Sequence, residues 1–141
     1  MASAVRMTTG WDDLGKLLLR FTVAGLLLFH GISKMQNGIG WMAGLLRGHH
    51  LPVALGYGVF VAEIVAPILL ILGVLTRPAA LVIAFDMCMA IYLVQANKIF
   101  TRNQGGGWGI ELEMVYLLAA IAIFFLGSGR YAVSRGDGRW T

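Results

Sequence analysis

The sequence predicts an all-α fold: an integral membrane four-helix transmembrane bundle with a short interfacial helix between helices 1 and 2. The composition supports this, because 58% of the 141 residues are hydrophobic and only 13% are charged. The mean hydropathy is +0.77, which is typical of membrane proteins rather than soluble domains. The apolar residues are also gathered into four blocks that short polar stretches separate. We therefore expect a single transmembrane domain over residues 1–141.

The four apolar blocks define the predicted helices. They run over about residues 14–34, 53–75, 79–97 and 110–126, and leave short tails at both ends. A helix rises about 1.5 Å per residue and needs about 20 residues to cross roughly 30 Å of hydrocarbon. We therefore expect each block to be long enough to cross the hydrocarbon.

The connections between the blocks predict how the helices pair. Between the second and third blocks, Gly73 can end one helix and Pro78 can begin the next, so these helices form an antiparallel hairpin. The connection over residues 35–52 is longer and combines apolar residues such as Trp41 and Leu45 with basic ones. That mixture is typical of a short helix lying in the headgroup plane.

The basic residues predict a lipid partner and an orientation. The chain has 11 Lys and Arg against 7 acids, for a net charge of +4. Because these bases flank apolar blocks, anionic lipid headgroups are a better partner than nucleic acid. Seven of the bases fall on the side of the two termini and four on the other, provided that Lys16 and Arg20 extend to the interface. The positive-inside rule then predicts that both termini face the cytoplasm.

Titratable residues inside the apolar blocks are the candidates for function. Each costs about 2.5–3.5 kcal/mol at the centre of a membrane helix and therefore tends to find a partner or water. His30 and Lys34 are four residues apart, so they share one face of the first helix. A purely structural role stays open for both, because Lys34 can extend to the interface and His30 can bond a backbone carbonyl.

Glu63 lies near the middle of the second predicted helix, with apolar residues on both sides. A carboxylate at that depth is expected to take up a proton or to find a cation. Its neighbours Gly56, Ala66 and Pro67 suit close helix packing or a cavity. A pocket and a structural hydrogen bond between helices are the two interpretations.

The third and fourth helices contribute four more candidates. Asp86 and Asn97 are eleven residues apart, close to three full turns, so they share a face that we expect to point inward. On the fourth helix Glu113 shares its face with Tyr116, which favours Glu113 rather than Glu111 as the inward acid. Together with His30, Lys34 and Glu63, these residues predict a polar cavity that opens toward the outer side and has Glu63 at its floor.

Three stretches resemble the DoxX-like membrane proteins, in order and over nearly the whole chain. They are LFHGISKM at the end of the first helix, VAEIVAPILLILGVLTRPAAL leading into the third, and FLGSGRYAVS closing the fourth. The resemblance implies a four-helix protein of the bacterial or archaeal cytoplasmic membrane. It also implies an oxidoreductase component tied to thiosulfate and quinone reduction, or to complexes that handle thiol and superoxide stress. The positions that carry over are His30, Gly31, Lys34, Glu63, Arg77, Gly127, Gly129, Arg130 and Tyr131.

The sequence has no motif for a metal, haem or nucleotide cofactor. It contains no GxGxxG, CxxC or HExxH pattern, and its one cysteine, Cys88, cannot form an intrachain disulfide. His30 is the only histidine at membrane depth, whereas a haem held between helices needs two. Electrons for any redox reaction must therefore come from another protein, which makes the chain at most a subunit of an oxidoreductase.

Three functions fit these observations. In the first, the chain is a quinone-linked subunit whose His30, Lys34 or Glu63 bonds the quinone carbonyls. In the second, the buried polar groups fix only the helix packing, and the loops or tails recruit soluble redox enzymes. In the third, a midplane acid with a basic companion moves protons or small solutes, which would require a homo-oligomer because four helices are few for a transporter.

Overall fold

The computed structural model describes residues 10–141, and regular structure in this range is entirely helical. Five helices follow one another along the chain: α1 (Gly10–Asn37), α2 (Gly40–Gly48), α3 (Leu55–Leu72), α4 (Thr76–Lys98) and α5 (Glu111–Leu126). The described residues contain no named strand, and an isolated bridge joins Arg102 and Trp108 in the α4–α5 connection. The all-α prediction is confirmed.

Three of the helices, α1, α3 and α4, are long and apolar enough to cross a membrane. The 16 residues of α5 rise about 24 Å, somewhat less than the roughly 30 Å of hydrocarbon. A fourth crossing therefore stays a prediction. The connection between α1 and α3 does contain a helix, α2, as the sequence predicts, but its place in the headgroup plane also stays a prediction.

The turn of the α3–α4 hairpin begins at Gly73, as the sequence predicts. Gly73 adopts a left-handed conformation with φ +71°, which glycine tolerates because it has no Cβ. Its N–H and that of Val74 both donate to the carbonyl oxygen of Leu69, at 2.8 and 3.0 Å. α4 then begins at Thr76, so the turn is shorter than the sequence suggested.

Both α3 and α4 contain one turn of π-helix, over Val61–Val65 and Ile91–Gln95. A π turn closes its hydrogen bonds over five residues instead of four, so it adds one residue and rotates the rest of the helix by about 100°. The turn in α4 separates Asp86 from Asn97, and Asn97 is exposed. The predicted stripe therefore does not continue to Asn97, because its spacing assumed a regular α-helix.

Small residues hold the helices together. Ala24, Ala80 and Ala120, on α1, α4 and α5, are fully buried, and such residues let helix backbones approach closely. Large apolar side chains on the opposite faces are exposed, among them Phe29, Phe85, Phe125, Leu18 and Val115. A surface of this kind is typical of contact with lipid, so the described helices indicate a bilayer environment.

The charge pattern suggested that Arg20 extends to the membrane–water interface, but the structure places its side chain inside the protein. The residue is only 1% exposed, and its guanidinium donates to the carbonyl oxygens of Leu70 and Ile71, at 2.8 and 3.0 Å. It also donates to those of Ser128 and Tyr131, at 2.6 and 2.9 Å. The last carbonyls of a helix have no partner within it, and the forked guanidinium can satisfy several at once. Burial among these acceptors stabilises Arg20 inside the protein.

The segment after α5, residues 127–141, folds back across the α3–α4 turn. Val133 donates its N–H to Leu72 O at 2.8 Å, and Ser134 Oγ donates to Gly73 O at 2.5 Å. The N–H of Arg77 donates to Trp140 O at 3.1 Å. The C-terminal segment thus forms part of the folded unit and covers the end of the bundle where α1 begins.

Candidate functional site

Lys34 of α1 and Glu63 of α3 form an ion pair between the two helices. Lys34 Nζ donates to Glu63 Oε1 at 2.5 Å. The Glu63 side chain is only 4% exposed, whereas that of Lys34 is 25% exposed. A buried carboxylate must be paired to remain charged, and Lys34 supplies the cation.

Gly31 sets the distance between α1 and α3 at this pair. A Cβ built on Gly31 would lie 2.6 Å from the backbone oxygen of Glu63 and 2.7 Å from Ile64 Cγ1. Only glycine allows this approach, and Lys34 follows nearly one turn later on the same helix. The π turn of α3 is centred on Glu63, and such turns are frequent at functional sites.

Asp86 of α4 is the third charged residue of the site. Glu63 Oε2 is buried and has no hydrogen-bond partner among the described residues. Asp86 lines the same cavity as Lys34 and Glu63, and its carboxyl group is close enough to both for their charges to interact. One cation and two carboxyl groups therefore meet where α1, α3 and α4 converge.

These three residues are the charged part of an otherwise apolar cavity of about 370 Å³. That volume is within the usual range for small-molecule sites, which are mostly apolar with a few polar groups that fix orientation. Side chains of α2, α3 and α4 supply the walls, among them Trp41, Met42, Leu45, Leu46, Val59, Ala62, Met89 and Leu93.

Part of the cavity lining is exposed on the surface of α3 and α4. Several of its wall residues also belong to the exposed apolar surface, namely Leu55, Val61, Val82, Phe85 and Val94. The sequence predicts that the cavity opens at the outer end of the bundle, and this direction stays a prediction. The exposed apolar residues beside the cavity would let an apolar molecule reach it from surrounding lipid.

Of the seven residues predicted to line a pocket, the structure brings Lys34, Glu63 and Asp86 together. The other four lie outside the cavity lining. His30 is exposed and lies edge-on to the ring of buried Tyr116, with centroids 6.1 Å apart. Glu113 is half-buried and accepts a hydrogen bond from Gln95 Nε2 at 3.1 Å. These are two separate contacts of α5, one with α1 and one with α4, while Asn97 is exposed.

Sequence reasoning missed the contribution of α2 to the site. Trp41 and Met42 line the cavity, although the amphipathic pattern of this segment was interpreted only as an interfacial helix. The apolar face of this helix could have indicated a cavity wall, because such a face must pack against other residues.

Among residues 10–141 there is no group of three or more His, Cys, Asp or Glu side chains placed to hold a metal ion.

The predicted motif residues near the C-terminus have structural partners. Gly127 and Gly129 both have φ +75°, a region that favours glycine. The N–H of Arg130 donates to Asp13 Oδ1 at 3.1 Å, and Tyr131 O accepts from Arg20. These contacts tie the C-terminal segment to α1.

Comparison with known proteins identifies the family. The model of the DoxX family matches residues 15–96, which include the ion pair and every residue that lines the cavity. An uncharacterised protein of Haemophilus influenzae is 34% identical over 119 residues, covering 82% of this chain and 84% of that protein. A Bacillus subtilis protein named "Putative oxidoreductase CatD" is 28% identical over 117 residues, covering 82% and 81%. No solved structure matches the chain. The chain belongs to the DoxX family.

Proposed function

We propose that this protein is the membrane subunit of an oxidoreductase system and binds a quinone in the cavity between α2, α3 and α4. The observation that carries the proposal is the position of Lys34, Glu63 and Asp86 in an otherwise apolar cavity, part of whose lining is exposed on the apolar surface of the bundle. A quinone has the matching chemistry, since its ring and tail are apolar and its carbonyl oxygens accept hydrogen bonds. The name of the Bacillus subtilis relative is compatible with this reaction class.

The charged residues have distinct roles in this proposal. The Lys34 ammonium, which is a donor only, bonds one quinone carbonyl. Glu63 and Asp86, once protonated, each pass one proton to the reduced quinone and take up another from water, because conversion of a quinone into a quinol consumes two electrons and two protons. The electrons come from a partner redox protein, and Lys34 and the two carboxyl groups bind the quinone and move protons.

The membrane arrangement is part of the same proposal. We infer four crossings, with α5 as the short fourth one, and α2 in the headgroup plane of a bacterial or archaeal cytoplasmic membrane. Burial removes Arg20 from the count of bases, leaving six on the side of the termini against four on the other. The positive-inside rule still favours cytoplasmic termini.

Tryptophan fluorescence tests the quinone site. Trp41 lines the cavity, and quinones quench nearby tryptophans. The probe protein keeps Trp41 and carries Phe at the other three tryptophans, Trp11, Trp108 and Trp140. It is titrated in lipid nanodiscs with a short-chain ubiquinone analogue. We expect saturable quenching, and about tenfold weaker binding after Lys34→Gln, since a hydrogen bond from a charged group is worth about 1.5–3 kcal/mol.

Lys98→Gln is the matched control, because Lys98 is exposed and lies outside the cavity. This variant should bind the quinone like the parent protein. Quenching that never saturates, or that is equal in the Lys34 and Lys98 variants, would reject the quinone site. In that case recruitment of soluble enzymes would become the better account of the protein.

A further inference from the structure

A second pocket, of about 250 Å³, lies at the opposite end of the bundle from α2. Its walls come from the first turns of α1, the start of α4 and the C-terminal segment. Five charged residues line it, one acid and four bases: Asp13, Lys16, Arg77, Arg130 and Arg135.

One of the four bases is matched to the acid. Buried Asp13 accepts the N–H of Arg130 at 3.1 Å, and its Oδ2 lies 3.8 Å from Arg130 Nε. Within residues 10–141, Lys16, Arg77 and Arg135 form no ion pair and no side-chain hydrogen bond. Arg77 Nε is moreover buried without a hydrogen-bond partner among these residues. The pocket therefore has more basic than acidic side chains, and three of its four bases have no ion-pair partner in the described part of the chain.

The glycines of the C-terminal segment shape this pocket. A Cβ on Gly136, where φ is +73°, would lie 2.9 Å from Gly129 O. A Cβ on Gly129 would lie 3.1 Å from both Asp13 Oδ1 and Lys16 Cδ. Larger residues at these positions would fill the space, so the glycines keep the basic side chains around an open volume.

We propose that this pocket binds an anionic phosphate group, supplied by the headgroup of an anionic lipid or by free phosphate. Arginine matches phosphate because its planar fork donates two parallel N–H bonds, and Lys16 adds a further charge. α1 and α4, two helices able to cross a membrane, begin beside the pocket. The site thus lies at headgroup depth, where anionic lipid is abundant. It is separate from the cavity of Lys34 and Glu63, so its occupancy is independent of the quinone proposal.

Two arginines of the C-terminal segment make a matched test. Arg135 lines the pocket, whereas Arg139 lies outside the lining and places its guanidinium 5.8 Å from the ring centroid of Trp140. The purified protein in a neutral detergent is titrated with dihexanoyl phosphatidylglycerol, with dihexanoyl phosphatidylcholine and with inorganic phosphate, and binding is measured by calorimetry. We expect Arg135→Gln and Lys16→Gln each to weaken anion binding by roughly tenfold. Arg139→Gln should leave it unchanged, and Arg135→Lys should recover part of it.

Each outcome of this test is decisive. Binding of phosphatidylglycerol over phosphatidylcholine, with the expected variant pattern, supports the site with lipid as its source. Binding of inorganic phosphate alone with the same pattern supports it with free phosphate as its source. No binding of either anion, or equal loss in the Arg135 and Arg139 variants, overturns the proposal. Circular dichroism of each variant separates lost binding from lost folding, and if Arg135→Gln does not fold, Lys16→Gln decides.

Discussion

Replacing Lys34 by Met removes the cation that faces Glu63 and leaves a carboxyl group that is 96% buried beside a second acid, Asp86. Breaking a buried ion pair by removing one partner costs about 3–5 kcal/mol. Because Lys34 itself is 25% exposed, part of that energy is already screened, and we expect about 3 kcal/mol. Glu63→Gln should cost less, about 1–2 kcal/mol, since the amide oxygen can still accept the hydrogen bond from Lys34, and otherwise Lys34, which is partly exposed, can move its ammonium toward water.

Reversible unfolding in mixed micelles of a mild detergent and SDS measures these free energies. Helix content, followed by circular dichroism, reports the transition. Lys98→Met is the control, because Lys98 is exposed and its side chain has no partner within residues 10–141. It should change the free energy of unfolding by less than about 0.5 kcal/mol. The double variant of Lys34 and Glu63 should lose less than the sum of the single changes, because neither charge is then left alone.

Two results would refute this reasoning. If Lys34→Met lowers the free energy of unfolding no more than Lys98→Met does, Lys34 does not neutralise a buried charge on Glu63. If the double variant loses the full sum of the two single losses, Lys34 and Glu63 do not interact.

The remaining predictions concern the backbone contacts that position the site. Gly31→Ala should destabilise the protein by about 1–3 kcal/mol, since its Cβ would meet the backbone of Glu63. Gly25→Ala is the control, because a Cβ at Gly25 would have no atom within 4 Å, and it should be neutral or slightly stabilising. Equal changes in the free energy of unfolding for the two variants would argue against the close contact at Gly31. Arg20→Lys keeps the positive charge but loses the guanidinium that donates to four carbonyl oxygens. The C-terminal segment should then be held less tightly, so trypsin should cleave it faster. An unchanged cleavage rate would contradict the role of Arg20 in holding this segment. Gly73→Ala should cost more than about 1 kcal/mol, because φ is +71° and the new Cβ would collide with the C-terminal segment, and thermal melting of the variant measures that cost.

Hydropathy and single-residue chemistry were enough to predict much of the fold. Apolar length predicted the three helices able to span the membrane, because that requirement depends only on composition and on the rise per residue. Gly73 predicted the hairpin, since few other residues adopt its left-handed conformation. A midplane carboxylate was also expected to take up a proton or find a cation, and the structure pairs Glu63 with Lys34.

Other features depend on three-dimensional context that periodicity does not contain. The π turns in α3 and α4 insert one residue each, so a face assigned from regular spacing fails beyond them, as Asn97 shows. Arg20 looked like an interfacial base because its carbonyl acceptors lie 50 to 111 residues further along the chain. His30 shares a helix face with Lys34, but only the longer side chain reaches Glu63.

The most direct test of the quinone proposal is photolabelling with an azido-quinone in liposomes, with the labelled peptides identified by mass spectrometry. The account predicts labels on cavity residues of α2, α3 and α4, such as Met42, Val59 and Met89. It also predicts that excess unlabelled quinone and the Lys34→Gln substitution both reduce that labelling. Labels spread over the exposed face of α5, at Val115 and Phe125, and insensitive to competitor, would contradict it.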